Sequence, residues 1–135
     1  MYLHDWSSKE DMMKDFVIEN WWDNNRDLTE KEKEEFKNVN VLLASYSSQN
    51  YLGDAFVLFI DKENGKLYEV NASHCSCYGL EEKWEPEETD IESLKHRLEK
   101  GSLGEEEYSG NIFKKELREV LERLQTNGKS LGDYL

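Results

Sequence analysis

The sequence predicts an α+β fold, a small antiparallel sheet of about three strands packed by N- and C-terminal amphipathic helices. Segments rich in β-branched and aromatic residues occupy the middle of the chain, at 39–47, 55–61 and 66–72. The flanking segments 8–22 and 111–125 instead place their apolar residues at helical spacing. Because no repeat or linker divides the 135 residues, we expect a single domain over 1–135.

The strand at 55–61 is predicted to be central, because the uninterrupted apolar run 56–60 is typical of a strand covered on both faces. The dipeptide Asn64-Gly65 tolerates positive φ and predicts a tight hairpin to the next strand. Strand alternation divides the run between two faces, with Phe56, Leu58 and Ile60 on one and Val57 and Phe59 on the other.

Four helices are predicted around these strands. Ser8 can cap the first, and two capping boxes, Thr29 with Glu32 and Thr89 with Glu92, begin the next two. Gly101 is expected to end the third helix. The fourth has the clearest apolar stripe, which consists of Ile112, Phe113, Leu117, Val120, Leu121 and Leu124.

The charge of the chain limits its partners. Thirty acidic residues against 17 basic ones give a formal net charge of −13, which repels phosphate backbones and anionic membrane surfaces. Direct nucleic-acid or membrane binding is therefore disfavoured. No apolar run approaches the roughly 20 residues of a membrane span, and the N-terminus lacks the pattern of a signal peptide, so a cytoplasmic location is expected.

The segment "SHCSC" brings His74, Cys75 and Cys77 together and admits three interpretations. Zinc would need further ligands, such as His96 or His4, because alternation places both thiols on one side of a strand and His74 on the other. A catalytic thiol would need a base and a positive environment, whereas the surrounding carboxylates raise the pKa of a thiol. Packing of both cysteines as small buried side chains is the favoured interpretation, with no cofactor.

The acidic segment "EEKWEPEETDIE" at 81–92 holds seven acids and one lysine around Trp84, and "EEEY" at 105–108 adds three acids beside Tyr108. Carboxylates spaced like phosphates, with aromatic anchors, suit binding to a basic surface. The predicted interaction residues are Trp84, Glu81, Glu82, Glu85, Glu87, Glu88 and Tyr108. The alternative is that these acids serve solubility alone. No catalytic signature is present, so an enzyme is not predicted.

The segments "GDAFVLF", "GKLYEVNASHCSCYGLEEKWEPEET" and "LKHRL" resemble an uncharacterised family of small bacteriophage-encoded proteins that share an SHCSCYG-type motif. The resemblance covers about residues 45–100 and implies no activity or catalytic residue. It implies a protein that acts in the host cytoplasm by binding host machinery. The predicted function is therefore a small acidic protein that binds and modulates a basic host protein, for example one that handles nucleic acid. A zinc-binding accessory phage protein and a cysteine-dependent enzyme remain the alternatives.

Overall fold

The structure, a computed structural model, describes residues 1–17, 27–49, 52–74, 80, 83–106 and 110–126. Within these ranges the chain forms four helices and two sheets, which confirms the α+β class. The elements in chain order are β1 (Tyr2–His4), α1 (Lys9–Val17), α2 (Glu30–Glu34), β2 (Val39–Gln49), β3 (Leu52–Asp61), β4 (Leu67–His74), β5 (Glu87–Glu88), α3 (Ile91–Lys100), β6 (Glu105–Glu106), β7 (Asn111–Ile112) and α4 (Lys114–Thr126).

The main sheet is larger than the sequence predicted, and it is mixed. Its described strands follow the order β1-β2-β3-β4-β5, and β6 pairs with β7 in a separate two-stranded sheet. The predicted antiparallel unit β2-β3-β4 is present, but β1 pairs with β2 in parallel and β5 adds to β4. The expectation of about three antiparallel strands was therefore wrong. The added strands are only three and two residues long, too short for side-chain alternation to reveal them.

The hairpin between β3 and β4 forms at the predicted Asn64-Gly65. Gly65 has a φ of 69°, a conformation that glycine adopts without steric cost. The backbone amide of Gly65 donates to the Asp61 carbonyl at 2.7 Å, and that of Lys66 donates to the Asn64 side chain at 2.8 Å. These bonds fix the register in which Ile60 lies opposite Leu67.

Both faces of β3 are buried, as the apolar run predicted. Val57 and Phe59 pack in one core cluster with Met12, Met13 and Phe16 of α1. The other face, with Phe56, Leu58 and Ile60, packs against apolar residues of α3 and α4, namely Leu94, Leu98, Leu117, Val120, Leu121 and Leu124. The first and last helices therefore cover opposite faces of the sheet.

The helix boundaries agree with the sequence in part. The capping box at Thr29 is present, since its hydroxyl accepts from the Glu32 amide at 3.1 Å and its own amide donates to the Glu32 carboxylate at 2.8 Å. At α3 the predicted cap Thr89 was wrong. The cap is Asp90, which accepts from the Ser93 amide at 2.7 Å, because Thr89 still belongs to the sheet and donates to the Leu67 carbonyl.

The last helix begins three residues later than predicted. Asn111 and Ile112 form β7, and the amide of Phe113 donates to the Gly104 carbonyl at 3.1 Å, so helical bonding starts only beyond them. Ile112 is 50% exposed and was wrongly assigned to the apolar stripe, whereas the other stripe residues are buried. No helix within the described ranges is both long and apolar enough to cross a membrane.

Candidate functional site

The acidic segment forms one border of the main sheet. We call Glu85, Glu87, Glu88, Asp90 and Glu92 the acidic edge, and all five side chains are exposed. Its central two residues are β5, which pairs with β4 on one side, while no described strand lies on its other side. The edge then continues into the cap and first turn of α3. Carboxylates that are adjacent in sequence therefore lie along an exposed edge strand and the helix start that follows it.

The acidic edge presents carboxylates on both sides of the sheet plane. Glu87 lies opposite Glu69, whose side chain is on the α3 face, and Glu88 lies opposite Tyr68, which packs on the α1 face. The nearest described cation is Lys66, whose ammonium is 3.6 Å from the Glu88 carboxylate. Both of these side chains are more than half exposed, so this ion pair contributes little and leaves the edge strongly negative.

Trp84 attaches this segment to the hydrophobic core. Its ring stacks on Phe59 with centroids 5.5 Å apart and contacts Phe16 and Phe36 at 5.0 and 4.9 Å. The indole is half-buried and belongs to the α1-side cluster. Leu80, on the other side of the acidic pair at 81–82, is 2% exposed in the same cluster. Trp84 therefore positions the acidic edge, and most of the apolar surface of the indole is buried against other residues of the chain.

Several of the predicted site residues lie outside the described residues. These are Glu81, Glu82, Tyr108, Cys75 and Cys77, together with the side chain of His74, which is the last residue of β4. His96, the fourth candidate zinc ligand, is exposed on α3. Among the residues that the structure describes, no group of three or more His, Cys, Asp or Glu is placed to hold a metal ion. The zinc and thiol interpretations therefore remain predictions.

A buried ion pair that the sequence reasoning missed joins β4 to α3. The Glu69 side chain is only 5% exposed, and its carboxylate accepts from the guanidinium of Arg97 and, at 2.8 Å, from the amide nitrogen of Asn71. The Arg97 Nε atom is buried without a partner within the described residues. The sequence does contain one sign of this pair. Strand alternation places Glu69 on the same face as the buried Leu67, and a buried acid needs a partner.

Beside this ion pair, a cleft of about 260 Å³ opens on the α3 side of the sheet. We call it the polar cleft, and its described lining is Asp54, Ala55, Phe56, Asn71, Ala72, Ser73, Ser102, Leu103, Gly104, Asn111 and Phe113. Its base is closely packed, since the rings of Phe56 and Phe113 stack with centroids 4.6 Å apart and an interplanar angle of 13°. Behind it, the buried Ser45 hydroxyl donates to the Asn111 side-chain oxygen at 2.5 Å.

The polar cleft is rich in hydrogen-bond acceptors. Asp54 is the one charged residue among its described lining, and it lies directly opposite Ser73 in the β3-β4 register. The orientation of Asn71 follows from chemistry, because the Glu69 carboxylate can only accept. The amide nitrogen of Asn71 must therefore face Glu69, which leaves its oxygen as a further acceptor. The hydroxyl groups of Ser73 and Ser102 and the Asn111 side chain, whose oxygen already accepts from Ser45, complete the polar lining.

No family model matches the chain, and neither a curated protein nor a solved structure matches it. The resemblance to small phage proteins therefore stays a prediction.

Proposed function

We propose that the protein is a binding module that docks its acidic edge on a basic surface of another protein. The observation that carries the proposal is the exposure of five carboxylates, from Glu85 to Glu92, along one border of the sheet. The formal net charge of −13 adds a long-range attraction for a basic partner. Trp84 and Leu80 hold the segment against the core, so its carboxylates are presented on a structured base.

The partner class follows from the same chemistry. Proteins that handle nucleic acid carry Lys and Arg where phosphates bind, and a row of carboxylates can occupy those positions. The resemblance to phage-encoded proteins supports a host protein of this kind, in the host cytoplasm. In this proposal the protein modulates its target by competing with nucleic acid for the basic surface.

Association of this kind depends on salt. Charged surfaces attract each other before contact and accelerate encounter, but the screening length is only about 8 Å at physiological ionic strength. The carboxylates of the acidic edge therefore contribute mainly to the association rate and to partner choice. Binding is expected to weaken markedly as salt is raised.

The test compares two triple variants with equal changes in net charge. The first, Glu85→Gln, Glu87→Gln and Glu88→Gln, neutralises the acidic edge and leaves the helix cap Asp90 intact. The matched control neutralises three exposed carboxylates elsewhere, at Glu35, Glu119 and Glu122. Each immobilised protein is exposed to bacterial lysate at low and high salt, and retained proteins are identified by mass spectrometry.

The unchanged protein and the control are expected to retain the same basic proteins at low salt and to release them at high salt, while the edge variant retains few. Equal retention by all three proteins would show that the acidic edge is not the docking surface. Equal losses from both variants would show that net charge alone attracts these proteins, and no enrichment of basic proteins at low salt would favour the solubility interpretation. A size-exclusion profile confirms that each variant is monodisperse before comparison.

A further inference from the structure

We propose that the polar cleft is a binding site for a guanidinium group. This site is separate from the acidic edge and uses different residues, so it does not depend on the proposed function. Its described lining combines one carboxylate, two amide side chains and two hydroxyls around an apolar base. Three properties of the cleft point to this ligand class: its size, its charge and the positions of its acceptors.

The size of the cleft fits a single functional group. Pockets for drug-sized ligands usually exceed about 300 Å³, and the polar cleft is smaller, at about 260 Å³. A side-chain-sized group can enter it from solvent, because Asn71 and Ser73 on its wall are exposed. The floor of the cleft is formed by Phe56 and Phe113, which are 1% and 4% exposed and are stacked on each other.

The charge of the cleft selects a cation. Asp54 is half-buried, and its carboxylate has no hydrogen bond or ion pair to any part of the chain that the structure describes. Among the described residues, Arg97 already pairs with Glu69 and the Lys114 ammonium, which follows the lining residue Phe113 in the chain, pairs with Glu105. A half-buried carboxylate without a partner favours an incoming positive charge and disfavours an anion.

The acceptors favour a guanidinium over an ammonium. The Asp54 carboxylate on β3 and the Asn71 oxygen and Ser73 hydroxyl on the neighbouring β4 line the same cleft, with Asp54 directly opposite Ser73. A guanidinium presents five donors in a rigid plane and can bond several such acceptors together. It is also more weakly hydrated than an ammonium, which suits a base formed by Phe56, Phe113 and Leu103.

The experiment titrates the full chain with N-acetyl-L-argininamide, a model of an arginine residue within a peptide, and follows amide chemical shifts by NMR. The matched ligand is N-acetyl-L-citrullinamide, which has nearly the same shape but a neutral urea group. Saturable shifts confined to the cleft are expected with a dissociation constant on the order of 1 mM. The citrulline compound is expected to bind about tenfold more weakly or not at all.

Three variants link the binding to the cleft. Asp54→Asn preserves the shape of the side chain and is expected to reduce affinity about tenfold, whereas Glu63→Gln, at the far hairpin, makes the same charge change without effect. Ser73→Lys places an ammonium opposite Asp54 at an exposed strand position. It is expected to abolish binding while the protein keeps its thermal midpoint, which separates occlusion from unfolding.

Free L-arginine distinguishes the two sources of the group. If free arginine binds as well as N-acetyl-L-argininamide, the natural ligand is a small molecule, and if it binds more weakly, the ligand is an arginine side chain of a protein. Equal affinity for the arginine and citrulline compounds, unchanged affinity in Asp54→Asn, or shifts spread over the whole surface would each overturn the proposal.

Discussion

Removal of the Arg97 guanidinium should destabilise the protein, because it leaves the buried Glu69 carboxylate without its cationic partner. Arg97→Met keeps most of the aliphatic stem on α3 but removes the charge that pairs with Glu69. The Glu69 side chain is 5% exposed, so its carboxylate would keep only the Asn71 amide as a partner among the residues that the structure describes. Breaking a buried pair by removing one partner typically costs about 3–5 kcal/mol.

The exposure of Arg97 reduces this cost. Its side chain is 41% exposed, so water already reaches one side of the pair and can partly replace the guanidinium. We therefore expect Arg97→Met to lower the free energy of unfolding by about 2–3 kcal/mol. A domain of this size is commonly stable by about 5–15 kcal/mol, so the variant should remain folded.

The assay is urea unfolding at neutral pH, followed by circular dichroism, for a double-mutant cycle. Glu69→Gln alone should cost only about 1 kcal/mol, because an amide keeps the shape, its single oxygen can accept from Arg97, and the Asn71 side chain can turn so that its oxygen accepts from the new amide nitrogen. In the double variant no buried charge remains, so its loss should be about 1–2 kcal/mol smaller than the sum of the single losses. A loss below about 0.5 kcal/mol for Arg97→Met, or additive losses in the cycle, would show that Glu69 is effectively hydrated.

Four further outcomes are expected. Leu121→Ala should cost about 2–5 kcal/mol in the same assay, because Leu121 is 1% exposed in the α3-side core. Trp84→Ala should cost about 3 kcal/mol and Trp84→Phe far less, since the ring packs on three phenylalanines. Hydrogen bonds from Ser7 lower the pKa of Asp11, so the stabilisation by this carboxylate is present above about pH 4 and lost on acidification. The difference in melting temperature between the protein and Asp11→Asn should therefore be present at neutral pH and shrink as the pH falls below about 4. Elemental analysis of the purified protein should find no stoichiometric zinc, and a thermal midpoint that falls in chelator would contradict this.

The parts of the fold that were predictable are those with a long repeated pattern. Strand β3 is ten residues long, and its alternation assigned Phe56 and Val57 to opposite faces correctly. Strands β1 and β5 contain too few residues to show any period, and they join the sheet through pairing with distant segments. Local sequence therefore determined the central sheet, while its borders depended on tertiary contacts.

Side-chain roles were harder to predict than strands. Trp84 stands in an acidic segment and was interpreted as a surface anchor, yet the structure packs much of its ring on Phe59. Glu69 and Arg97 are 28 residues apart, so strand alternation indicates a buried acid at Glu69 but not which cation pairs with it. Asp90 rather than Thr89 caps α3, because the Thr89 amide donates to the Leu67 carbonyl of β4. In each case, a contact distant in sequence decided between two locally acceptable roles.

The position of the acidic edge gives its residues two physical effects. An exposed edge strand presents unpaired backbone groups that can join another sheet, and charged residues and proline oppose such pairing. Pro86, which has no N–H, and the carboxylates of Glu87 and Glu88 provide this protection at β5. The same carboxylates lie on a base held by Trp84, so the proposed binding would lose little conformational entropy in this segment. Edge protection requires only charge of either sign, whereas the concentration of one sign along a single border is what a basic partner would recognise.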